Sequence, residues 1–235
     1  MVVTKDMEKI KVIGFDADDT LWENEMLFRN TEKAFFKILS HYDVEHKLNQ
    51  ELFKTEIENL SIYGYGIKGF MLSMIETALR VSEGRIDGNQ IDEIIQLGRT
   101  MLSAPVHIIK NVPETLSSLQ KKYRLVLVTK GDLLEQQRKL RVSNLEAYFH
   151  HIEILSDKTP LQYDRLLKHL DIDPSEFVMV GNSLKSDVLP PITLGCQAVH
   201  IPFHTTWAHE LVEDEEKNAA SYLELKEIKE LLAYY

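Results

Sequence analysis

The stretch "VIGFDADDTLW", residues 12–22, sets an apolar run directly against three aspartates, Asp16, Asp18 and Asp19. Residues 12–15 read as a buried strand, because four consecutive apolar positions have no polar face to offer to water. Carboxylates at the end of such a strand repel one another and lose hydration. The placement is costly unless a cation or a reaction requires it.

Outward from this point the same strand signature recurs. "KVIGF" (11–15), "RLVLVT" (124–129), "HIEIL" (151–155), "FVMVG" (177–181) and "QAVHI" (197–201) are short, mostly continuous and rich in Val and Ile. Helical patterns separate the last four: "PETLSSLQKK" (113–122), "DLLEQQRKL" (132–140), "PLQYDRLLKHL" (160–170) and a short one near 186–194. Strand and helix in alternation are the mark of βαβ units, so the fold class is α/β: a Rossmann-like parallel sheet with helices on both faces. Ligands of such sheets bind at the carboxyl ends of the strands.

Between the first strand and the helix before the second lie residues 22–111, too many for a simple crossover. Phe28, Phe35, Ile38 and Tyr42 can line one helix face, and "ELFKTEIENL" and "QIDEIIQLGRTML" repeat the spacing. The expected organisation is therefore a core of residues 1–21 and 112–235 carrying an inserted helical unit at 22–111, placed over the sheet's carboxyl edge. Inside it "YGYGIKGF" (63–70) interrupts the helices. Its glycines fit a turn between helices, and the segment can also supply substrate contacts through Tyr63, Gly64, Tyr65, Gly66 and Lys68. The C-terminal "LELKEIKELLAYY" reads as an amphipathic helix, and "EDEEK" (213–217) as a solvated turn or helix start.

Composition narrows the function classes. Hydrophobic residues at 44% and charged residues at 27% describe an ordinary globular protein. The net charge of −10 disfavours a nucleic-acid or acidic-membrane surface while leaving room for a local pocket that takes a small anion. No apolar run approaches the ~20 residues of a membrane span, and "MVVTKDMEKIK" lacks the order of a signal peptide, so the expected location is the cytoplasm. Cys196, the single cysteine, excludes an intramolecular disulfide or a cysteine-rich zinc site and reads as a packing residue. His204 and His209 in "HTTWAHE" are five apart, a poor spacing for one helix face, so the histidines carry no metal reading. The sequence leaves the oligomeric state open.

Four polar clusters fall at the carboxyl ends of four of the strands: Asp16, Asp18 and Thr20; Thr129, Lys130 and Gly131; Lys158; and Asn182, Ser183 and Asp187. In this pattern the chain resembles the haloacid dehalogenase-like hydrolase superfamily, in its subgroup with a helical cap after the first motif. "DADDT" is similar to the family's DxDx(T/V), "LVLVTKGD" to its strand ending in Thr or Ser, "SDKTP" to its lysine motif and "VMVGNSLKSD" to its acidic metal motif.

The resemblance implies a phosphatase acting on a small phosphorylated metabolite with Mg²⁺. Asp16 would be the nucleophile and a metal ligand, and Asp18 the acid and base, its carbonyl also on the metal. Thr129 and Lys158 would complete the catalytic set. Phosphate contacts are implied at Ala17, Thr129, Lys130, Gly131 and Lys158, and metal ligation at Asp16, Asp18, Asn182 and Asp187. Chemistry explains the residue types: a carboxylate attacks an anionic phosphoryl group only where positive charge offsets the encounter. Asn182 departs from the aspartate common at that place, weakening the site or shifting its burden to Asp187. Ser183 and Ser186 read as orienting partners and Asp19 as a turn acid, while Lys130 and Lys185 stay open, since lysines at strand ends usually point to water. The second aspartate argues for phosphate rather than halide chemistry. A phosphomutase and a binding protein of low turnover stand as the alternatives.

Overall fold

The computed structural model describes residues 9–213, 217 and 220–235. These divide into two compact units. One draws on the described residues within 9–23, 106–130 and 136–235; the other on Asn24–Pro105 and Gly131–Glu135.

The first unit is built on a parallel sheet. Its strands are β1 (Val12–Phe15), β2 (Arg124–Lys130), β3 (His151–Leu155), β4 (Phe177–Gly181), β5 (Gln197–His200) and β6 (Leu223–Glu224), in the order β3-β2-β1-β4-β5-β6. The continuous apolar runs have a direct cause: both faces are covered. Ile13 and Phe15, with Leu125, Leu127, Val178 and Val180, face one core. Val12, Val126, Val128, Phe177 and Met179 face the other. Register keeps the two sets apart, since Ile13 lies opposite Leu125 and Val178. Strand order reverses at β1, which has β2 on one side and β4 on the other, and this is the crevice where open α/β sheets bind ligands.

The crossover helices are α5 (Val112–Leu119), α6 (Leu133–Ser143), α7 (Pro160–Leu170) and the short α8 (Leu189–Thr193). Helix α7 shows local signals at work: Thr159 caps it by accepting from the Gln162 amide at 3.4 Å, and Pro160 opens the first turn. Tyr163, Leu166 and Leu167 then fall on one buried stripe. The helix expected near 186–194 is two pieces, a π-helical turn Leu184–Val188 followed by α8. Cys196 is buried in the core that holds Val12, Val126, Phe177 and Tyr163, and burial pushes its thiol up to about 12, an inert packing residue.

The C-terminal segment departs from expectation. Where an amphipathic α-helix is read from sequence, the chain forms β6 and a 3₁₀ helix, Ile228–Ala233. Leu225, Ile228 and Leu231 are all buried, and their spacing of three matches the three residues per turn of a 3₁₀ helix better than 3.6. The Leu225 amide also bonds the His200 carbonyl at 2.9 Å, holding the entry in the sheet. Most of "EDEEK" lies outside the described residues.

The second unit is helical, with α1 (Glu25–Leu39), α2 (Glu45–Tyr63), α3 (Ile67–Val81) and α4 (Gly88–Ser103). Phe35, Leu39, Leu48, Leu52, Phe70 and Met74 are among its buried core. Asp87 and Gln90 form a reciprocal capping box at the start of α4. No helix among the described residues is long and apolar enough to cross a membrane.

Candidate active site

Asp16 leaves β1 with its amide bonded to the Val180 carbonyl at 2.9 Å, so the parallel pairing of β1 with β4 fixes its backbone. The chain then turns sharply. The Leu21 amide bonds the Ala17 carbonyl at 2.8 Å, the Asp19 amide bonds the Trp22 carbonyl at 2.7 Å, and Asp19 takes a left-handed conformation with φ 60°. Aspartate tolerates that conformation, which gives the turn acid a structural role. The turn points Asp16 and Asp18 in separate directions, toward separate partners.

Asp16 is buried. Its Oδ2 accepts from the Thr20 hydroxyl at 2.9 Å and its Oδ1 from Lys158 Nζ. Lys158 Nζ also donates to Asp187 Oδ1 at 2.6 Å, and its side chain is 1% exposed. Burial and the Asp187 charge push the Asp16 carboxyl above the usual carboxylate range, with Lys158 pulling it back. Lys158 itself stays protonated, because the two carboxylates more than offset its own burial.

Asp187 reaches this point through the π-helical turn. The Ser183 side chain caps that turn by accepting from the Ser186 amide at 3.1 Å, and the Ser183 amide donates to Asp187 Oδ2 at 3.0 Å. Both Asp187 oxygens thus have donors. The approach requires a glycine at 181, since a Cβ there would overlap Asp187 Cβ, Cγ and Oδ2. Gly181→Ala is expected to displace Asp187 from Lys158, lowering stability by about 1–3 kcal/mol in urea unfolding and turnover with it. Wild-type values for both would contradict the packing.

Asn182 tests whether the residues suit a cation. Oriented by hydrogen bonding, its Nδ2 lies 3.2 Å from the Asp18 carbonyl, 3.3 Å from Asp16 Oδ2 and 3.3 Å from Thr20 Oγ1. Turned over, the same amide presents Oδ1 to that place, giving an all-oxygen donor set of one carboxylate, one carbonyl and one amide. Such a set suits a hard cation such as Mg²⁺. No group of three or more His, Cys, Asp or Glu residues that could hold a metal ion occurs among the described residues, so the oxygen set here draws on a backbone carbonyl and an amide beside a carboxylate.

Asp18 is held by different groups. Its Oδ1 accepts from Trp22 Nε1 at 2.6 Å and Lys139 Nζ at 2.7 Å, its Oδ2 from Gln136 Nε2 at 3.0 Å. The Gln136 amide nitrogen also lies 2.8 Å from Thr129 Oγ1 and 3.0 Å from the Lys130 carbonyl, so its two hydrogens are shared among three acceptors. With its oxygen accepting, the Thr129 hydroxyl keeps its hydrogen for another partner.

Lys130 is engaged elsewhere: Nζ donates to Glu210 Oε1 at 2.5 Å and to Ser186 Oγ at 2.9 Å. Glu210 Oε2 accepts from Ser183 Oγ at 2.5 Å and Ser186 Oγ at 2.6 Å. Burial alone would raise the Glu210 carboxyl, but Lys130 and the two hydroxyls outweigh it and hold it at about 2. Lys185 Nζ donates to the His209 carbonyl at 2.8 Å.

The core unit therefore brings Asp16, Asp18, Thr129, Lys130, Lys158, Asn182 and Asp187 into one hydrogen-bonded system, with Ala17 buried in the turn between the two acids. Tyr63, Gly64, Tyr65, Gly66 and Lys68 belong to the helical unit, as does Gly131, whose φ of 137° favours glycine. There Gly64 and Gly66 form the turn from α2 to α3, Tyr63 donates to Glu76 at 2.8 Å, and Lys68 pairs with Asp132 at 2.9 Å. Trp22, Gln136, Lys139 and Glu210 escape the sequence reading. Gln136 and Lys139 sit in "LLEQQRKL", a polar run with the look of a solvated helix face; their spacing of three is the one signal that they share a side.

A sheet whose order reverses at β1, with carboxylates and a buried lysine at that reversal, defines a Rossmann-like α/β enzyme. The chain belongs to the haloacid dehalogenase-like hydrolase family, which it matches over residues 10–192. A haloacid dehalogenase-like family hydrolase from Xanthomonas campestris is 37% identical, with a TM-score of 0.82 covering 95% of this chain and 93% of that one. N-acylneuraminate-9-phosphatase of Mus musculus is 23% identical over 203 residues, 82% of each chain. Glyceraldehyde 3-phosphate phosphatase of Methanothermobacter thermautotrophicus is 24% identical over 234 residues, 94% of this chain and 98% of the relative.

Proposed function

We propose that the protein is a Mg²⁺-dependent phosphatase of the cytoplasm that hydrolyses a small phosphomonoester through an aspartyl-phosphate on Asp16. The observation that carries this is the separate fixing of two neighbouring carboxylates: Asp16 on Lys158 and Thr20, Asp18 on Lys139, Trp22 and Gln136. Two acids with different environments take different roles. The relatives named as phosphatases support the same reaction class.

In the first step an Asp16 oxygen attacks phosphorus and the bond from phosphorus to the ester oxygen breaks. Asp18 gives its proton to the leaving oxygen. In the second, water attacks phosphorus, Asp18 takes the water proton, and the bond from Asp16 to phosphorus breaks, returning both acids to their starting state. Lys158 offsets charge on Asp16 and on the phosphoryl group, while the Thr129 hydroxyl hydrogen, left free by Gln136, donates to a phosphoryl oxygen. Asp16, the Asp18 carbonyl and Asn182 would hold Mg²⁺, with Asp187 acting through Lys158 and Ser183. The metal supplies charge neutralisation for the transferring group. The helical unit would be the cap, its Tyr63–Lys68 turn contributing substrate selectivity.

Phosphate release from a panel of monoesters, with and without Mg²⁺ and without a bisphosphate activator, tests this proposal. Metal-dependent release supports it; isomerised product with little release would indicate a mutase, and a folded protein inert under several metals would refute catalysis. Asn182→Asp adds a charged ligand and is expected to lower the Mg²⁺ concentration for half-activation by roughly tenfold. An unchanged or higher concentration would remove residue 182 from the metal set.

A further inference from the structure

Asp18 is held by a buried lysine of its own, distinct from the one on Asp16. Lys139 is 8% exposed at its side chain, whereas the Asp18 side chain it meets is 25% exposed. Burying an ammonium costs several kcal/mol unless a partner offsets it. The helix α6 presents Gln136 and Lys139 three residues apart, on one side, and each takes a different oxygen of the same carboxylate. Trp22, 0% exposed, adds a donor to Oδ1 from within the turn. Donors on both oxygens from two separate elements fix the plane of the carboxylate as well as its position, while the carboxylate keeps a path to solvent. An acid that only closed a turn would need none of this.

We propose that Lys139, with Gln136 and Trp22 beside it, is a positioning residue for Asp18: Lys139 and Trp22 both donate to Oδ1 and keep it the acceptor oxygen, which leaves Oδ2, facing only the neutral Gln136 amide, to carry the proton given to the leaving oxygen. The inference rests on the acid role given to Asp18 above. Without Lys139 the carboxyl group swings about its Cα–Cβ and Cβ–Cγ bonds and meets the ester oxygen less often in line. Esters whose leaving oxygen needs a proton suffer most, and esters with an activated leaving group suffer least.

The test measures kcat/KM, which reports events up to departure of the leaving group, for 2,4-dinitrophenyl, p-nitrophenyl and phenyl phosphate. Lys139→Met is expected to lose about tenfold more on phenyl than on dinitrophenyl phosphate, and Lys139→Arg to recover most of that difference. Thermal melts establish folding, and Lys139→Gln takes the place of the methionine variant if that one does not fold. An equal loss on all three esters, or no loss, overturns the inference. Asp18→Asn in the same series separates the two claims. If it too shows no dependence on the leaving group, the acid assignment fails; if it shows the dependence and Lys139→Met does not, the role of Lys139 fails alone.

Discussion

Lys158→Met is expected to lower turnover by about 10²–10³-fold and, near neutral pH, to lower stability by about 3–5 kcal/mol. Both effects have one origin. Lys158 Nζ donates to Asp16 and Asp187 together from a fully buried position, so its removal leaves two carboxylates facing each other. The pH dependence follows from sign. The Asp16 carboxyl already lies above the ordinary range through burial and Asp187, and it loses the Lys158 charge that pulls it down. A carboxyl raised in the folded protein favours folding below its unfolded pKa, and that contribution disappears as pH rises through the folded value. The deficit of the variant is therefore expected to be largest at about pH 7.5 and to shrink toward about pH 5. Urea unfolding at the two pH values checks it. A deficit equal at both, or a variant of wild-type stability, would contradict the ion-pair geometry.

Asp16→Asn is expected to abolish turnover, with a loss of at least about 10⁴-fold, while the protein stays folded. The carboxamide keeps the shape and removes the negative charge that repels Asp187, and Lys158 retains its 2.6 Å contact to Asp187. Stability is expected within about 1 kcal/mol of wild type. Single-turnover phosphate release together with a thermal melt reads both quantities. Retained turnover would remove Asp16 from the reaction, and loss of folding would assign it a structural part instead.

How much of this is legible in the sequence depends on which physical signal each residue leaves. Continuous apolar runs such as "FVMVG" announce strands covered on both faces, and residues at their carboxyl ends, Asp16, Thr129 and Asn182 among them, are placed by the sheet itself. Lys139 and Glu210 leave no such mark. Each is a charged residue in a polar segment, and its burial follows from how α6 rolls against the sheet and how the segment after β5 returns over the π-helical turn. Both are long-range outcomes, with Lys139 meeting Asp18 across 121 residues and Glu210 meeting Lys130 across 80. Lys130 shows the limit from the other side: beside a phosphate motif a lysine is open between anion ligand and solvated residue, and its pairing with Glu210 leaves no mark in the sequence. The C-terminal segment shows a third cause, since buried positions three apart suit a 3₁₀ helix and a periodicity count tuned to 3.6 absorbs them as α-helix.

The most direct measurement of the central claim is acid quenching during turnover of a phosphomonoester, followed by borohydride reduction of acyl phosphates and mass mapping of the peptides. The expected result is reduction at residue 16 alone, in the peptide containing "VIGFDADDT", and its absence in Asp16→Asn. Label at another side chain, or steady turnover with residue 16 never modified, would contradict the account.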